Sequence, residues 1–302
     1  FCNSIIKSYP EEFPRIISSK NISPVDQAKL IETIIESSDL KLLRPYGDKF
    51  YYARGISASI GELKREGIDP DSFEKLIKEE EKEFKSIDDL YHEKGAHKGK
   101  MKGKYDDILK YIERNKELLI LYRNYEDKLV ENRFYDYEDM IIETVRAMQK
   151  NEDFLLKLQE NYQYILVDEH QDTNNAQNKV LELLSGFYES PNLFIVGDEK
   201  QAIFRFQGAS LNNFLFFKNK YKDAKIVFLE ENYRSTQAIL DSAHSLIENA
   251  PVADENLRVR LKSASGHKEK NIKFYEFSSE EFEMLYLAED IKNKMSEGVP
   301  AG

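Results

Sequence analysis

A short run of apolar residues that ends in two adjacent carboxylates constrains the fold of this chain more than any other feature. Tyr164–Val167 shows no polar alternation, and Asp168 and Glu169 follow it directly. Runs of this kind are typical of strands buried on both faces, as in a parallel sheet covered by helices. Because open α/β sheets bind ligands at the carboxyl ends of their strands, the sequence predicts an α/β fold with both carboxylates at that edge.

The two carboxylates suit phosphoryl transfer, which requires mainly positioning and charge neutralisation from a protein. Asp168 can hold a magnesium ion, and Glu169 can orient or deprotonate an attacking water molecule. An acidic loop after a core strand is the structural alternative, and these two residues alone favour it. The residues that follow, Gln171–Asn174, and two further polar segments reverse that preference.

Strands and helices alternate from Tyr162 onwards, which indicates βαβ units in a parallel sheet. The predicted strands are Tyr164–Val167, Leu193–Val196, Ile226–Leu229 and Asn271–Phe277. The predicted helices are Ala176–Ser185, Leu211–Lys220, Thr236–Asn249 and Glu280–Met295. The chain before Tyr162 is predicted to be mainly helical, with Ser23 as the cap of a helix that starts at Pro24.

The second predicted strand leads into a polar loop that contains Gln201. The amide of this residue can hydrogen-bond a γ-phosphate or the attacking water. Phe204 and Phe206 follow in the same segment, and aromatic rings on an exposed loop can stack on unpaired bases, worth about 1–3 kcal/mol each. Packing of both rings in the core is the alternative.

The third predicted strand is followed by Tyr233, Arg234 and Ser235. Tyr233 can stack on a purine, and the planar guanidinium of Arg234 suits contact with a γ-phosphate, as in an arginine finger. A surface ion pair of Arg234 with Glu230 or Glu231 is the alternative. Ser235 is predicted to cap the next helix.

Composition excludes several classes of protein. The 302 residues carry a net charge of −11, which disfavours coating of nucleic acid through bulk electrostatics but allows a local basic groove. The single cysteine, Cys2, excludes an internal disulfide and a cysteine-based zinc site. No stretch approaches the roughly 18–20 apolar residues of a membrane span. Since no signal peptide is visible either, we expect a cytoplasmic location without membrane contact.

A lysine-rich segment, His92–Lys104, lies between two further predicted helices, Asp71–Asp89 and Tyr105–Asn132. It is either a solvated loop or a loop that contacts the phosphates of DNA or RNA, because lysines release counterions when they meet a nucleic-acid backbone. The sequence leaves both interpretations open.

In this order, the motifs resemble those of the UvrD/Rep/PcrA-type superfamily 1 DNA helicases. The resemblance rests on Asp168–Asn174, on Val196–Asp198 with Gln201 and Gly208-Ala209, and on Asn232–Ser235. Tyr135–Met140 is similar to the acidic and aromatic stretch that re-enters the first motor domain of that family. The resemblance is strong from about Tyr135 to Asn249 and looser elsewhere.

The resemblance implies a RecA-like P-loop NTPase parallel sheet with a mainly helical inserted subdomain, and ATP held between two motor domains. It implies four segments: the end of the N-terminal part of motor domain 1A (1–19), the helical insertion 1B that meets duplex DNA (20–115), motor domain 1A (116–235) and the start of the second motor domain 2A (236–302).

The resemblance also implies a role for each candidate residue. Asp168 would bind Mg²⁺, Glu169 would activate water, Gln201 would sense the γ-phosphate, Tyr233 would stack near the adenine, Arg234 would contact the γ-phosphate, and Phe204 and Phe206 would stack on single-stranded DNA. Glu169, Gln201 and Arg234 are thus the expected catalytic residues, and ATP and Mg²⁺ are the expected cofactors.

The chain also departs from the family pattern. It contains no G-x-x-x-x-G-K-[ST] phosphate-binding loop. His170 replaces a usual aromatic residue, and Gln207 replaces a usual arginine. Since the chain begins at Phe1 rather than Met, we expect a fragment of a longer protein that does not hydrolyse ATP by itself.

The predicted function is that of part of an ATP-dependent 3′–5′ DNA helicase and translocase, which acts on single-stranded and duplex DNA in DNA repair or recombination. Two alternatives remain: the motor subunit of a RecB/AddA-like helicase–nuclease, and a non-catalytic DNA-binding or interaction module. The presence of Asp168, Glu169, Gln201 and Arg234 together argues against the non-catalytic module.

Overall fold

The computed structural model describes residues 1–94, 97–201, 211–248, 259–269 and 271–300. It divides the chain into two compact units, Phe1–Ala224 and Lys225–Gly302, and each is described by itself. The helices of the first unit are α1 (Cys2–Ser8), α2 (Pro14–Ile17), α3 (Pro24–Ser37), α4 (Ala53–Arg65), α5 (Pro70–Lys85), α6 (Asp106–Glu131), α7 (Tyr137–Lys150), α8 (Glu152–Asn161), α9 (Asn175–Ser185) and α10 (Leu211–Lys220). Those of the second unit are α11 (Gln237–Ile247) and α12 (Glu280–Ser296).

The strands of the described residues form three parallel pairs. The pairs are β1 (Lys20–Asn21) with β2 (Phe134–Tyr135), β3 (Tyr164–Val167) with β4 (Asn192–Ile195), and β5 (Glu231–Asn232) with β6 (Lys262–Ser263). Parallel strands require crossover connections, and helices make those connections here. The fold is therefore α/β, as the sequence predicts.

Helices α3–α6 form a helical layer with a core of its own. Ser23 caps α3 as predicted, since its hydroxyl oxygen accepts a hydrogen bond from the Asp26 backbone N–H at 3.1 Å. The apolar stripes of the helices meet in the interior, where Ile35, Ile60 and Leu121 are buried. Full burial of a side chain of this size contributes about 1.5–3 kcal/mol.

The chain enters and leaves the helical layer at one place. β1 precedes α3 and β2 follows α6, and the two strands pair with Lys20 opposite Phe134 and Asn21 opposite Tyr135. Both crossings are therefore adjacent in space. The segment boundaries expected for the helical insertion and the motor domains remain predictions.

A second core lies beside β3 and joins α1, α7, α8 and α9. Ile5, Met148, Leu158 and Val180 are buried in it, and Ile165 of β3 packs against it. This core supports the strand that carries the two carboxylates at its end.

The β3–β4 pair corrects one expectation. Its register places Tyr164 opposite Asn192 and Val167 opposite Ile195, with α9 as the connection, so the predicted βαβ unit is confirmed. Burial alternates along β3, however: Tyr164 and Leu166 are 72% and 76% exposed, whereas Ile165 is half-buried. The expectation of a strand buried on both faces is wrong for the described residues, because helices cover only one face of the pair.

The second unit differs more from expectation. The segments Ile226–Leu229 and Asn271–Phe277 were predicted to be strands, but neither forms a strand in the described part of the chain. The strands of this unit are instead the short pair β5 and β6. A strand needs a hydrogen-bonding neighbour and a covered apolar face. Within the described ranges the predicted segments have neither, and no apolar side chain of this unit is buried there.

The cap of α11 is Thr236 rather than the predicted Ser235. The Asn232 side-chain oxygen accepts the backbone N–H groups of Arg234 and Ser235 at 3.0 and 2.7 Å, which holds these residues in a turn before the helix begins. Within the described part of the chain, none of the helices has the length and apolarity needed to cross a membrane.

Candidate functional site

The acidic loop, which we define as Asp168–Asn174, begins where β3 ends. Asp168 and Glu169 are both exposed. Glu169 has φ 48° and ψ 42°, a left-handed conformation that is uncommon for a residue with a side chain, and its N–H donates to Asp168 Oδ1 at 2.9 Å. This turn carries the chain sharply out of the strand and leaves both carboxylates at the predicted edge.

A buried glutamine connects the acidic loop to the loop after β4. The side chain of Gln171 is 1% exposed. Its Nε2 donates to Glu169 Oε2 at 2.5 Å, and its Oε1 accepts the backbone N–H of Asp198 at 3.0 Å. Since a backbone N–H can only donate, the amide oxygen must face Asp198 and the NH₂ group must face the carboxylate.

Gln201 is held at the same edge through Asp198. Its Nε2 donates to Asp198 Oδ2 at 3.1 Å, and its backbone N–H donates to the Asp198 carbonyl at 3.0 Å. Asp198 Oδ1 also accepts the Lys200 N–H. A continuous chain of hydrogen bonds therefore runs from Glu169 through Gln171 and Asp198 to Gln201. It connects the two predicted site residues Glu169 and Gln201 through two residues that were not predicted to belong to the site.

His170 anchors the base of the acidic loop. Its backbone N–H donates to the Val196 carbonyl at 3.0 Å, and its ring is fully buried against Phe217, with 5.5 Å between centroids. Thr173 Oγ1 lies 3.2 Å from the ring Nδ1. This environment agrees with a packing role for the histidine that replaces the family's usual aromatic residue.

Asp168 is suited to a hard cation. One of its carboxylate oxygens accepts the Glu169 N–H, and the side chain is exposed to solvent. Mg²⁺ prefers oxygen ligands and is commonly held by one or two carboxylates together with water and substrate phosphates. The residues present therefore fit a magnesium ion bound mainly by its substrate.

The other predicted nucleotide contacts lie in the second unit. Tyr233 is exposed and its hydroxyl donates to Glu231 Oε2 at 2.5 Å, an interaction that raises the pKa of the phenol. The guanidinium of Arg234 is exposed and forms no ion pair with any described residue. The alternative of a surface pair with Glu230 or Glu231 is therefore not observed within the described ranges.

Phe204 and Phe206, the predicted DNA-stacking residues, lie outside the described residues. The lysine-rich segment is partly described. Lys102 and Lys104 both pair with Asp89, at 3.3 and 2.6 Å. Two of its five lysines thus form ion pairs within the protein, and contact of this segment with nucleic acid stays a prediction.

A cluster that the sequence analysis missed lies between the helical layer and α7. Oxygen atoms of Glu126, Asp136 and Asp139 lie within 4.8 Å of one another. Lys64 Nζ contacts all three carboxylates, at 2.8, 2.6 and 2.8 Å. The ammonium group supplies the positive charge there, so the cluster is an ion-pair network. Its one local signal was the acidic pair Asp136 and Asp139 at capping-box spacing.

Comparison with known proteins places these features in a family. The UvrD/REP helicase N-terminal domain matches residues 1–222, and the UvrD-like helicase C-terminal domain matches residues 227–300. Several bacterial relatives carry the description ATP-dependent DNA helicase PcrA. That of Bacillus subtilis is 29% identical over 249 residues, which cover 82% of this chain and 29% of the relative.

Two further relatives of the same description are similar over shorter regions. The protein of Staphylococcus epidermidis is 35% identical over 178 residues, which cover 59% of this chain and 24% of the relative. That of Leuconostoc citreum is 36% identical over 172 residues, which cover 57% and 22%. The matched region spans less than a third of the length of each of these relatives.

Proposed function

The chain belongs to the UvrD/REP helicase family, and on that premise we propose that it supplies the acidic-loop side of the ATP site in an ATP-dependent DNA helicase and translocase. The observation that carries the proposal is the hydrogen-bonded chain from Glu169 through Gln171 and Asp198 to Gln201. It links a carboxylate and an amide at the carboxyl edge of two parallel strands, which supports the proposal because α/β sheets bind their ligands there.

The proposed reaction is transfer of the γ-phosphoryl group of ATP to water. Asp168 would hold Mg²⁺, which would neutralise charge on the phosphates. Glu169 orients the water and accepts its proton as the water oxygen attacks phosphorus and ADP leaves. Gln201 donates its amide to the γ-phosphate or to the water.

Gln171 supports this role of Glu169. Its NH₂ group is directed at the carboxylate from a buried position, so it fixes one carboxylate oxygen and leaves the other to face the water. Positioning of this kind matters because small misplacements of a reacting group slow a reaction strongly.

Tyr233 and Arg234 supply further nucleotide contacts in our proposal. Tyr233 stacks near the adenine, and Arg234 contacts the γ-phosphate as an arginine finger. The exposed guanidinium, which has no ion pair with a described residue, supports this assignment, since an arginine finger must be free to reach its substrate. The fold would then be RecA-like, with residues 20–115 as the helical insertion that meets duplex DNA. Phe204 and Phe206 would stack on single-stranded DNA during 3′–5′ movement in repair or recombination.

The test is Glu169→Gln in the protein product of the complete gene. This change retains the side-chain shape but removes the base, and we expect ATP turnover to fall about 10²–10⁴-fold while ATP binding is kept. Glu160→Gln is the matched control, because Glu160 is an exposed carboxylate on α8. Turnover that survives Glu169→Gln would refute the proposed role of the acidic loop.

A further inference from the structure

Lys64 is an unusual lysine because it is 1% exposed. It lies one residue before the end of α4, and its ammonium group contacts Glu126 of α6 together with Asp136 and Asp139, which cap and begin α7. Desolvation opposes a buried charge unless partners compensate it. The three carboxylates outweigh that penalty and raise the pKa of Lys64.

Further polar contacts surround this lysine. Arg15 of α2 contacts Glu126 at 3.1 Å and Asp139 at 3.4 Å from the other side. The Tyr125 hydroxyl donates to Asp136 Oδ2 at 3.1 Å. Asp136 and Asp139 also accept each other's backbone N–H groups, at 2.9 and 3.0 Å, in a capping box. The network therefore joins the helical layer to the first turn of α7 with defined geometry.

The next two residues of the chain contact the same part of the molecule. Arg65 Nη1 lies 3.0 Å from Glu138 Oε1 in the first turn of α7. The Asn175 side-chain amide donates to the Glu66 carboxylate, and Asn175 is the first residue of α9. Three successive residues, which we call the joint (Lys64–Glu66), thus attach the end of α4 to the starts of two helices.

The start of α9 is also the end of the acidic loop. Asn174 caps this helix: its Oδ1 accepts the Gln177 N–H at 2.9 Å, and its own N–H donates to Gln177 Oε1 at 3.0 Å. The cap is therefore the last residue of the acidic loop, and Asp168 and Glu169 are its first two residues. Because Asn175 follows the cap directly, its contact with Glu66 restrains the point at which the loop is anchored.

We propose that the joint positions the acidic loop. The contacts of the helical layer with the starts of α7 and α9 then determine how well ordered the segment that carries Asp168 and Glu169 is. Glu66 is then a positioning residue that acts through Asn175. The coupling is a property of the chain without nucleotide or DNA. The inference rests on the proposed function only where it assigns catalytic roles to Asp168 and Glu169 of the acidic loop.

The test is hydrogen–deuterium exchange on the 302-residue chain. The reporters are backbone amides of the acidic loop and its cap that hydrogen bonds protect, namely those of His170, Asp172, Thr173 and Gln177. In Glu66→Ala we expect these amides to exchange about tenfold faster, as for loss of one hydrogen bond to a charged group. Amides of α5 should keep their wild-type rates.

Two variants sharpen the result. Glu66→Gln retains an oxygen that accepts from Asn175, so it should restore slow exchange in the loop. Glu62→Ala removes a carboxylate one turn earlier on α4 and should leave the loop unchanged. Unchanged loop exchange in Glu66→Ala would overturn the inference, and so would acceleration spread equally over α5. Neither outcome depends on ATP turnover, so failure of the proposed function would be seen separately.

Discussion

The side-chain amide of Gln171 donates a hydrogen bond to the Glu169 carboxylate over 2.5 Å, from a position that is 1% exposed. The same amide accepts the Asp198 N–H from the neighbouring loop. One buried side chain therefore couples the orientation of the proposed general base to the loop that carries Gln201. An apolar residue of similar size could neither donate to Glu169 nor accept from Asp198.

Gln171→Leu should impair both the chemistry and the fold. The change removes the donor to Glu169 and leaves the Asp198 N–H without a partner, which costs about 1–3 kcal/mol for a buried polar group. We expect turnover of ATP by the complete gene product to fall about tenfold or more, with a smaller change in KM. Steady-state kinetics and urea unfolding measure the two effects. Gln149→Leu, at an exposed site on α7, is the control and should change neither.

Lys64→Met should destabilise the first unit strongly. The substitution keeps most of the side-chain volume but leaves three carboxylates without their central charge, and removal of one partner from a buried ion pair costs about 3–5 kcal/mol. Lys78→Met is the control, because Lys78 is 68% exposed and its surface pair with Glu74 is screened by solvent, so its loss should change the free energy of unfolding little. Urea unfolding of both variants measures the difference. Equal midpoints would show that the buried network does not stabilise this unit.

Local patterns predicted most helices well. Ala176–Ser185 was predicted and Asn175–Ser185 is observed, and the predicted Glu280–Met295 differs by one residue from α12. Helical spacing and caps are encoded within a few neighbouring residues, so the sequence alone reveals them. The helix Ala53–Arg65 was missed, because two glycines and two serines interrupt a stripe of few apolar residues.

Features that depend on distant partners were not predicted. Ile226–Leu229 has strand composition but no strand neighbour in the described residues, and its side chains are exposed. The residues next to Lys64 in the sequence do not distinguish it from a surface lysine. The packing of α6 and α7 against α4 buries it and brings its carboxylate partners into contact. The edge position of Asp168 and Glu169 was predicted, since it follows from where a single strand ends.

The stability of the buried network should depend on pH through Asp136. Burial raises the pKa of this carboxyl to about 6 from 3.8, and Lys64 only partly offsets that effect because it is shared among three carboxylates. The folded state thus binds this proton more tightly than the unfolded state. The contribution of the carboxyl to stability is fully present below pH 3.8 and is lost as the pH rises through about 6.

Asp136→Asn isolates this contribution. We expect the stability difference between wild type and variant, measured by urea unfolding, to decrease between about pH 4 and pH 6.5. Asp139 acts in the opposite direction: burial raises its pKa, but Lys64 and Arg15 outweigh burial and lower it. Because the folded-state pKa of Asp139 lies below 3.8, its own contribution to stability changes below the pH range of this comparison. A difference that is constant with pH would show that Asp136 keeps an ordinary pKa.

Arg234→Ala should separate catalysis from stability. The guanidinium has no ion pair with described residues, so the substitution should change the free energy of unfolding by no more than about 0.5 kcal/mol. As an arginine finger, the same side chain would be worth about 10³–10⁵ in ATP turnover. Arg260→Ala is the matched control, because Arg260 is an exposed arginine of the same unit that pairs with Asp241 at 3.2 Å. Turnover that falls equally in both variants, or in neither, would remove Arg234 from the proposed ATP site while leaving Glu169 and Gln171 in place.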